Sequence, residues 1–320
     1  MKTDKNRINI MSSCDENYAK LVPVQLLSIA DNLLSSKQGK YKEVHYYLFY
    51  SRVSEKIIES LHTYCETLGI VFHKIYIADT ELYAELASKG GGWAYEAFFS
   101  LECYRYLPEE VDRILYIDAA DVLILGDIGE YYFLDFDGCS LIVTPGRYKQ
   151  NGVIFEKDDL SDEELRAGIL RGLFNSGTYV INVDKMRVSN IPLSDYIAFK
   201  KALEEIYPNN NNIYFGDQGL LAAVFVGDIK YFGYPKIKNI WYQPYNFCMW
   251  FFDRSAEICG GNPPYIPRII HFAGVNIKPW KFTSENENEL KPGQWPFYMI
   301  YKLYENQAKL DISNASSATL

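Results

Sequence analysis

The sequence predicts an α/β fold, a mostly parallel, doubly wound sheet flanked by helices. Two observations carry that expectation. Short apolar runs alternate along the chain with segments whose apolar residues recur at helical spacing. One stretch, Arg113 to Ile128 (RILYIDAADVLILGDI), is nearly all apolar up to Asp118 and again after Asp121. That is how a strand covered on both faces reads. Acids where such a strand stops matter, because open α/β sheets bind ligands outside the carboxyl ends of their strands. Two carboxylates there suit a hard divalent cation, which in turn suits a diphosphate. Taken alone, the pair reads as two solvated turn acids, a spacing common by chance in an acidic chain.

The elements follow in order. RINIMSS, from Arg7, is the first strand, and SSCDENY leads to a helix from about Pro23, a good first-turn residue. Val24, Leu27, Ala30 and Leu34 give it an apolar stripe. EVHYYLFYS is the second strand. Ser54 is placed to cap a helix striped by Ile57, Ile58, Leu61, Cys65 and Leu68, and IVFHKIYIA is the third strand. Asp79 opens a short helix ending at Gly90, Gly91 and Gly92. YEAFFSLECYRYLPEE is a helix broken by Pro108, and after the acidic turn VLIL is a short strand. Asp127 with Glu130 fits a capping box, a structural role. The polar stretch Arg147 to Arg171 interrupts the rhythm like an insertion. Leu173 to Val183 is a turn feeding a strand, LSDYIAFKKALEEIY and GDQGLLAAVF are helices, and RIIHF is the last strand. The organisation expected is one catalytic-sized unit over 1–284 and a tail over 285–320. The tail holds a helix around Phe297, Ile300, Tyr301 and Tyr304 and ends in disorder at SNASSATL.

Composition narrows the function. A hydrophobic content of 48% over 320 residues supports a sizeable core. The net charge of −9 argues against a nucleic-acid partner. No apolar run is long enough for a signal peptide or a membrane span, so any membrane contact is expected to be peripheral. The six cysteines are irregularly spaced without a CxxC pair, which reads as free thiols in the cytoplasm.

Downstream, HFAGVNIKPW (His271 to Trp280) adds chemistry. His271 ends a strand, and mixed carboxylate and imidazole ligation suits manganese. Gly274 allows close backbone approach to a phosphate, and Lys278 supplies charge to neutralise it. A histidine at a strand end is also an ordinary packed residue.

This segment resembles the C-terminal signature of glycosyltransferase family 8, which includes glycogenin and the bacterial galactosyl- and glucosyltransferases of lipopolysaccharide outer cores. The order of motifs from Ile8 to Trp280 is similar throughout. SSCDENY resembles the loop that holds the uracil and ribose of a UDP-sugar, on Ser13, Asp15, Asn17 and Tyr18. Arg105 matches an arginine that contacts the donor diphosphate. LFNSG resembles the FN[SA]G turn, which puts Asn175 on the donor sugar. GDQG resembles the DQ pair, which makes Asp217 and Gln218 the catalytic residues beside the anomeric carbon, although Asp217 also reads as a helix cap. The resemblance implies a GT-A fold and a retaining transfer of glucose or galactose from a UDP-sugar to a saccharide or glycolipid acceptor. It also implies Mn2+, with Mg2+ the alternative, on Asp118, Asp121 and His271. A binding protein without turnover and a sugar nucleotidyltransferase of similar fold are the other readings.

One departure stands out. The family has Asp-x-Asp, whereas this chain has Asp118-Ala-Ala-Asp121. Residues two apart on a strand share a face and residues three apart do not. Both carboxylates reach one ion only if the strand has ended or a bulge or turn absorbs the extra alanine.

Overall fold

The computed structural model describes residues 4–87, 94–145, 148–150, 153–155, 174–206, 216–233, 236–237, 240–241, 244–248 and 267–317. The glycine triplet and most of the 147–171 insertion lie outside them.

The chain begins with β1 (Arg7–Ser13), a single turn α1 (Glu16–Ala19), α2 (Val22–Leu33), β2 (Glu43–Tyr50), α3 (Glu55–Leu68) and β3 (Val71–Tyr76). The three strands pair in parallel, β1 with β2 and β2 with β3. Apolar residues of β1 and β2, Ile8, Ile10, Tyr46 and Leu48 among them, are fully buried, while β3 at the sheet edge leaves Val71 and Tyr76 exposed. α3 lays Ile58, Leu61, Tyr64, Cys65 and Leu68 on the sheet, each such side chain worth about 1.5–3 kcal/mol when fully buried. It stops at Gly69, whose φ of +79° makes it the left-handed cap a glycine supplies. Ser54 sits at the N-cap position but makes no side-chain cap bond; its N–H is instead bound by Glu16.

Next come α4 (Glu81–Ala87), a 3-10 helix (Tyr95–Arg105), β4 (Arg113–Ile117), β5 (Val122–Ile124), α5 (Gly129–Tyr132), β6 (Leu141–Pro145), β7 (Tyr148–Gln150), β8 (Val153–Phe155) and β9 (Phe174–Asn182). The segment before β4 is thus a 3-10 helix with non-helical geometry at Glu102, where the sequence suggested an α-helix. Phe98 through Tyr104 are all buried, so packing on every side sets its shape rather than one amphipathic face. The capping box also fails. Asp127 accepts from the Gly129 N–H and from the Tyr41 hydroxyl, while Glu130 accepts from Tyr245. Asp127 is structural all the same.

The chain closes with α6 (Val183–Ser189), α7 (Leu193–Ile206), α8 (Gly216–Val224), β10 (Ile229–Tyr231), β11 (Lys236–Ile237), β12 (Ile240–Trp241), β13 (Phe247–Cys248), β14 (Ile269–His271) and α9 (Trp295–Ser317). The main sheet has the order β10-β6-β9-β4-β1-β2-β3. It is mostly parallel, and β9 is the strand that reverses, antiparallel to both β4 and β6. A small second sheet, β13-β14-β5, takes the VLI strand and the strand ending in His271. The tail is a helix through Ser317, which takes in the first five residues of SNASSATL; residues 318–320 lie outside the described residues. Its Tyr298 and Tyr301 are buried, and Tyr304 bonds Asn32 of α2. No helix among the described residues is long and apolar enough to cross a membrane.

Candidate active site

Three strand ends meet at one edge of the main sheet. β1 and β4 run parallel side by side, so Ser13 and Ile117 end at the same edge. β9 runs the other way, which brings its first residues, Phe174 to Gly177, back to that edge. The Asp118 N–H binds the Gly177 carbonyl at 3.0 Å.

The extra alanine is absorbed in a turn. β4 ends at Ile117, before Asp118. The Asp121 N–H then reaches back to the Ala119 carbonyl at 2.8 Å, with Ala120 between them at φ +62°. This is a γ-turn with a left-handed centre, a conformation that costs a non-glycine residue about 1–3 kcal/mol. Gln25 of α2 staples it. Its fully buried amide donates to the Asp118 carbonyl at 2.9 Å and the Val122 carbonyl at 3.1 Å, and accepts from Ser12 and Tyr46.

The turn brings both aspartates to one point. One ligand atom each from Asp118, Asp121 and His271 lies within 4.8 Å of the others. Asp118 remains 37% exposed, Asp121 13% and the His271 side chain 1%. Asp118 accepts from Tyr116 at 3.2 Å on one oxygen and faces His271 Nε2 at 3.2 Å with the other. Lys278 donates to Asp121 at 2.6 Å and to the Phe272 carbonyl at 3.0 Å. Burial pushes the Asp121 carboxyl up, against the opposing pull of Lys278 and His271. Asp121 Oδ1 and His271 Nε2 are buried without a hydrogen-bond partner. Buried polar atoms are rarely left so. Two carboxylates and an imidazole nitrogen, with orphaned lone pairs, form a donor set that fits a divalent cation of the manganese type.

A second group adjoins the first. Gln218, buried at the start of α8, accepts from Asn175 Nδ2 at 3.3 Å and from the Ser176 N–H at 3.2 Å. Asn175 Oδ1 accepts from the Gly177 N–H at 3.1 Å. Burial, reinforced by the negative charge of Asp118, pushes the Asp217 carboxyl up to about 8. A Cβ on Gly177 would sit 1.8 Å from the His271 ring, so the imidazole stands where only glycine leaves room.

The uridine-loop residues lie at the end of β1. Asp15 caps α1, accepting from the Asn17 and Tyr18 N–H groups at 2.9 and 3.1 Å. Tyr18 meets Trp280 edge to face at 5.7 Å, and Lys278 Nζ lies 5.6 Å from that indole. Ser13 lies 3.4 Å from the Tyr116 hydroxyl. Gly274 is exposed at φ +65°.

Arg105 pairs with Glu102 at 3.0 Å and with the Tyr104 hydroxyl, which in turn reaches Asn190 and Ile191 ahead of α7. The sequence reading missed Gln25, Gly177 and Asn246. Gln25 had a signal, since VPVQLLSIA is apolar on nearly all sides and a buried amide there must find partners. Asn246, in an aromatic run, had none.

The model of "Glycosyl transferase family 8" matches residues 9–284. A lipopolysaccharide 1,2-glucosyltransferase of Escherichia coli is 24% identical over 291 residues, covering 87% of this chain and 74% of the relative. A lipopolysaccharide 1,3-galactosyltransferase of Salmonella typhimurium is 27% identical over 205 residues, covering 63% of this chain and 54% of the relative, so the match spans about half of that protein. Among solved structures, the galactosyltransferase LgtC in complex with donor and acceptor sugar analogs has a TM-score of 0.63 at 18% identity, covering 91% of this chain and all (100%) of that one. GlyE of Streptococcus pneumoniae TIGR4 has a TM-score of 0.57 at 16% identity, covering 96% and 64%. At these identities the structural likeness speaks for the GT-A type fold.

Proposed function

The chain belongs to glycosyltransferase family 8, and from that premise we propose that it moves a hexose, glucose or galactose, from a UDP-sugar to a saccharide or glycolipid acceptor, retaining the α configuration and assisted by Mn2+. The observation that carries this reading is the convergence of Asp118, Asp121 and His271, with buried unpartnered atoms on two of them, at the carboxyl end of β4. Two curated relatives are a lipopolysaccharide glucosyltransferase and a lipopolysaccharide galactosyltransferase, which supports the donor class. A cytoplasmic site of action fits the described cysteines, all of them free.

Asp118, Asp121 and His271 would hold the cation. When bound, it would neutralise charge growing on the UDP leaving group. Lys278 neutralises Asp121 in the unliganded chain, and its ammonium is placed to turn to a phosphate instead. The exposed backbone at Gly274 allows close approach of the same group. Asp15, Asn17 and Tyr18 would take the base, and Asn175 the sugar.

Bond breaking at the anomeric carbon builds oxocarbenium character. Gln218 offers an amide, a poor nucleophile. Asp217, held largely protonated near neutral pH, offers little carboxylate either. Both favour attack from the face the UDP leaves, with the acceptor proton passing to the departing phosphate oxygen.

A UDP-release assay against a panel of sugar nucleotides, with and without Mn2+, tests the proposal. Slow metal-dependent hydrolysis of UDP-glucose or UDP-galactose is expected even without an acceptor. Release of pyrophosphate, or tight UDP binding with no turnover of any donor, would overturn it.

A further inference from the structure

An imidazole can offer only one nitrogen to a metal while the other carries its proton, and the hydrogen bond made by the second nitrogen decides which is which. In this chain that decision can be traced to the backbone. The Gly177 N–H can only donate, so the atom of Asn175 that faces it at 3.1 Å is Oδ1. The Ser176 N–H can only donate, so Gln218 presents Oε1 to it, and Asn175 Nδ2 completes the match by donating to that oxygen. The Asn175 carbonyl can only accept, so the Asn246 atom 3.1 Å away is Nδ2, which also donates to Asn175 Oδ1. Asn246 then has its Oδ1 on the opposite side, 3.0 Å from His271 Nδ1. Three amide orientations thus follow from three main-chain groups of β9, with no free choice among them.

From this network we infer that Asn246 is a positioning residue that fixes His271 as the Nδ1–H tautomer, leaving the Nε2 lone pair bare beside Asp118. The use of that lone pair rests on the proposed cation site; the tautomer assignment does not. The arrangement accounts for two facts at once. His271 Nε2 is buried without a hydrogen-bond partner, and it nevertheless faces an Asp118 oxygen at 3.2 Å. A bare nitrogen and a carboxylate oxygen both lack a proton for that contact, so it calls for a cation between or beside them. The other group near Nδ1 is the Cys248 thiol at 3.7 Å, which lies closer to Asn246 Oδ1, at 3.0 Å, and donates there. The same relay links the metal-facing histidine to Gln218. Asn246 therefore ties the cation end of the site to the sugar end without touching either ligand.

The test is two-bond 1H–15N correlation NMR of the metal-free full chain, labelled at histidine. The chain has four histidines, and a His271→Gln spectrum assigns the signal. Wild type is expected to show Nδ1 protonated and Nε2 bare in the neutral ring. In Asn246→Leu the thiol becomes the remaining neighbour of Nδ1, and an Nε2–H population should appear. Asn246→Asp keeps an acceptor facing Nδ1 and should keep the wild-type pattern. Titration of Mn2+ alone should give an affinity about 10–100-fold weaker for Asn246→Leu than for wild type, with Asn246→Asp binding more tightly than Asn246→Leu. Thermal melts check that each variant is folded. A wild-type ring protonated on Nε2, or divided between the tautomers, would overturn the inference. So would an Asn246→Leu variant with the wild-type pattern and affinity. If wild type shows the expected tautomer yet binds no Mn2+, the assignment of Asn246 stands and the cation site falls.

Discussion

Replacing Gln25 by leucine isolates what holds the aspartate turn. The substitution keeps the volume and removes one amide. That amide is fully buried and donates to the carbonyls of Asp118 and Val122, on either side of the γ-turn. Its oxygen accepts from Tyr46 at 2.8 Å and from Ser12 at 3.3 Å. Ser12 keeps a stronger partner in the Ile117 carbonyl at 2.8 Å, so the two stranded carbonyls and the buried Tyr46 hydroxyl decide the size of the effect. Each buried group left unsatisfied costs about 1–3 kcal/mol, which makes the expected loss roughly 3–9 kcal/mol out of a typical ~5–15. Urea unfolding followed by circular dichroism reads it as a lower midpoint with an unchanged slope. The turn should loosen along with it, so Mn2+ should bind more weakly even where the variant is fully folded. A midpoint within about 0.5 kcal/mol of wild type, the usual scatter for a surface change, would show that the amide does not brace the turn.

Gly177→Ala should push the His271 ring out of place, because the new Cβ would overlap a ring that is buried and has nowhere to go; we expect Mn2+ affinity to fall at least about tenfold, with a lower melting temperature by about 1–3 kcal/mol of stability, and wild-type affinity would refute the close approach. Ala120→Val should destabilise by more than about 2 kcal/mol in a urea melt, since a β-branched side chain tolerates φ +62° poorly, and a neutral result would mean that the turn is not left-handed. Lys278→Met should weaken UDP binding while strengthening binding of Mn2+ alone, because the lysine competes with a cation for Asp121; parallel loss of both, by calorimetry, would contradict that. Asp217 has its folded pKa raised to about 8, above an unfolded value of about 4. Its contribution to stability is therefore full below the unfolded value and is lost as pH rises through the folded one. In the metal-free protein, the stability of Asp217→Asn relative to wild type should rise between about pH 4 and pH 8, and a difference flat across that range would refute the shift.

Much of this architecture was legible in the residues, and the reasons differ by element. β1, β2 and α3 announce themselves because each buries a run or a stripe of apolar side chains. Asp118, Asp121 and His271 were legible as a group because acids and a histidine at strand ends are chemically conspicuous. The γ-turn was not, since nothing local marks Ala120 for a left-handed φ; the close packing of β4, β9 and α2 imposes it. Nor was the 3-10 helix, because Phe98 to Tyr104 are buried on every side and leave no stripe to read. The role of Arg105 came from the resemblance alone; the fold adds that its guanidinium pairs with Glu102 and the Tyr104 hydroxyl. Asn246 became visible only when β13 and β14 paired, placing it beside a histidine far along the chain.

Calorimetry of UDP with the wild-type chain and with Asp121→Asn, each with Mn2+ and with a chelator, tests the cation site most directly. Wild type should bind UDP at least tenfold more tightly with Mn2+, a difference of about 1.4 kcal/mol or more, and Asp121→Asn should show little or no such gain. Equal UDP affinity with and without metal in the wild-type chain would contradict the claim that Asp118, Asp121 and His271 gather a cation for the donor diphosphate.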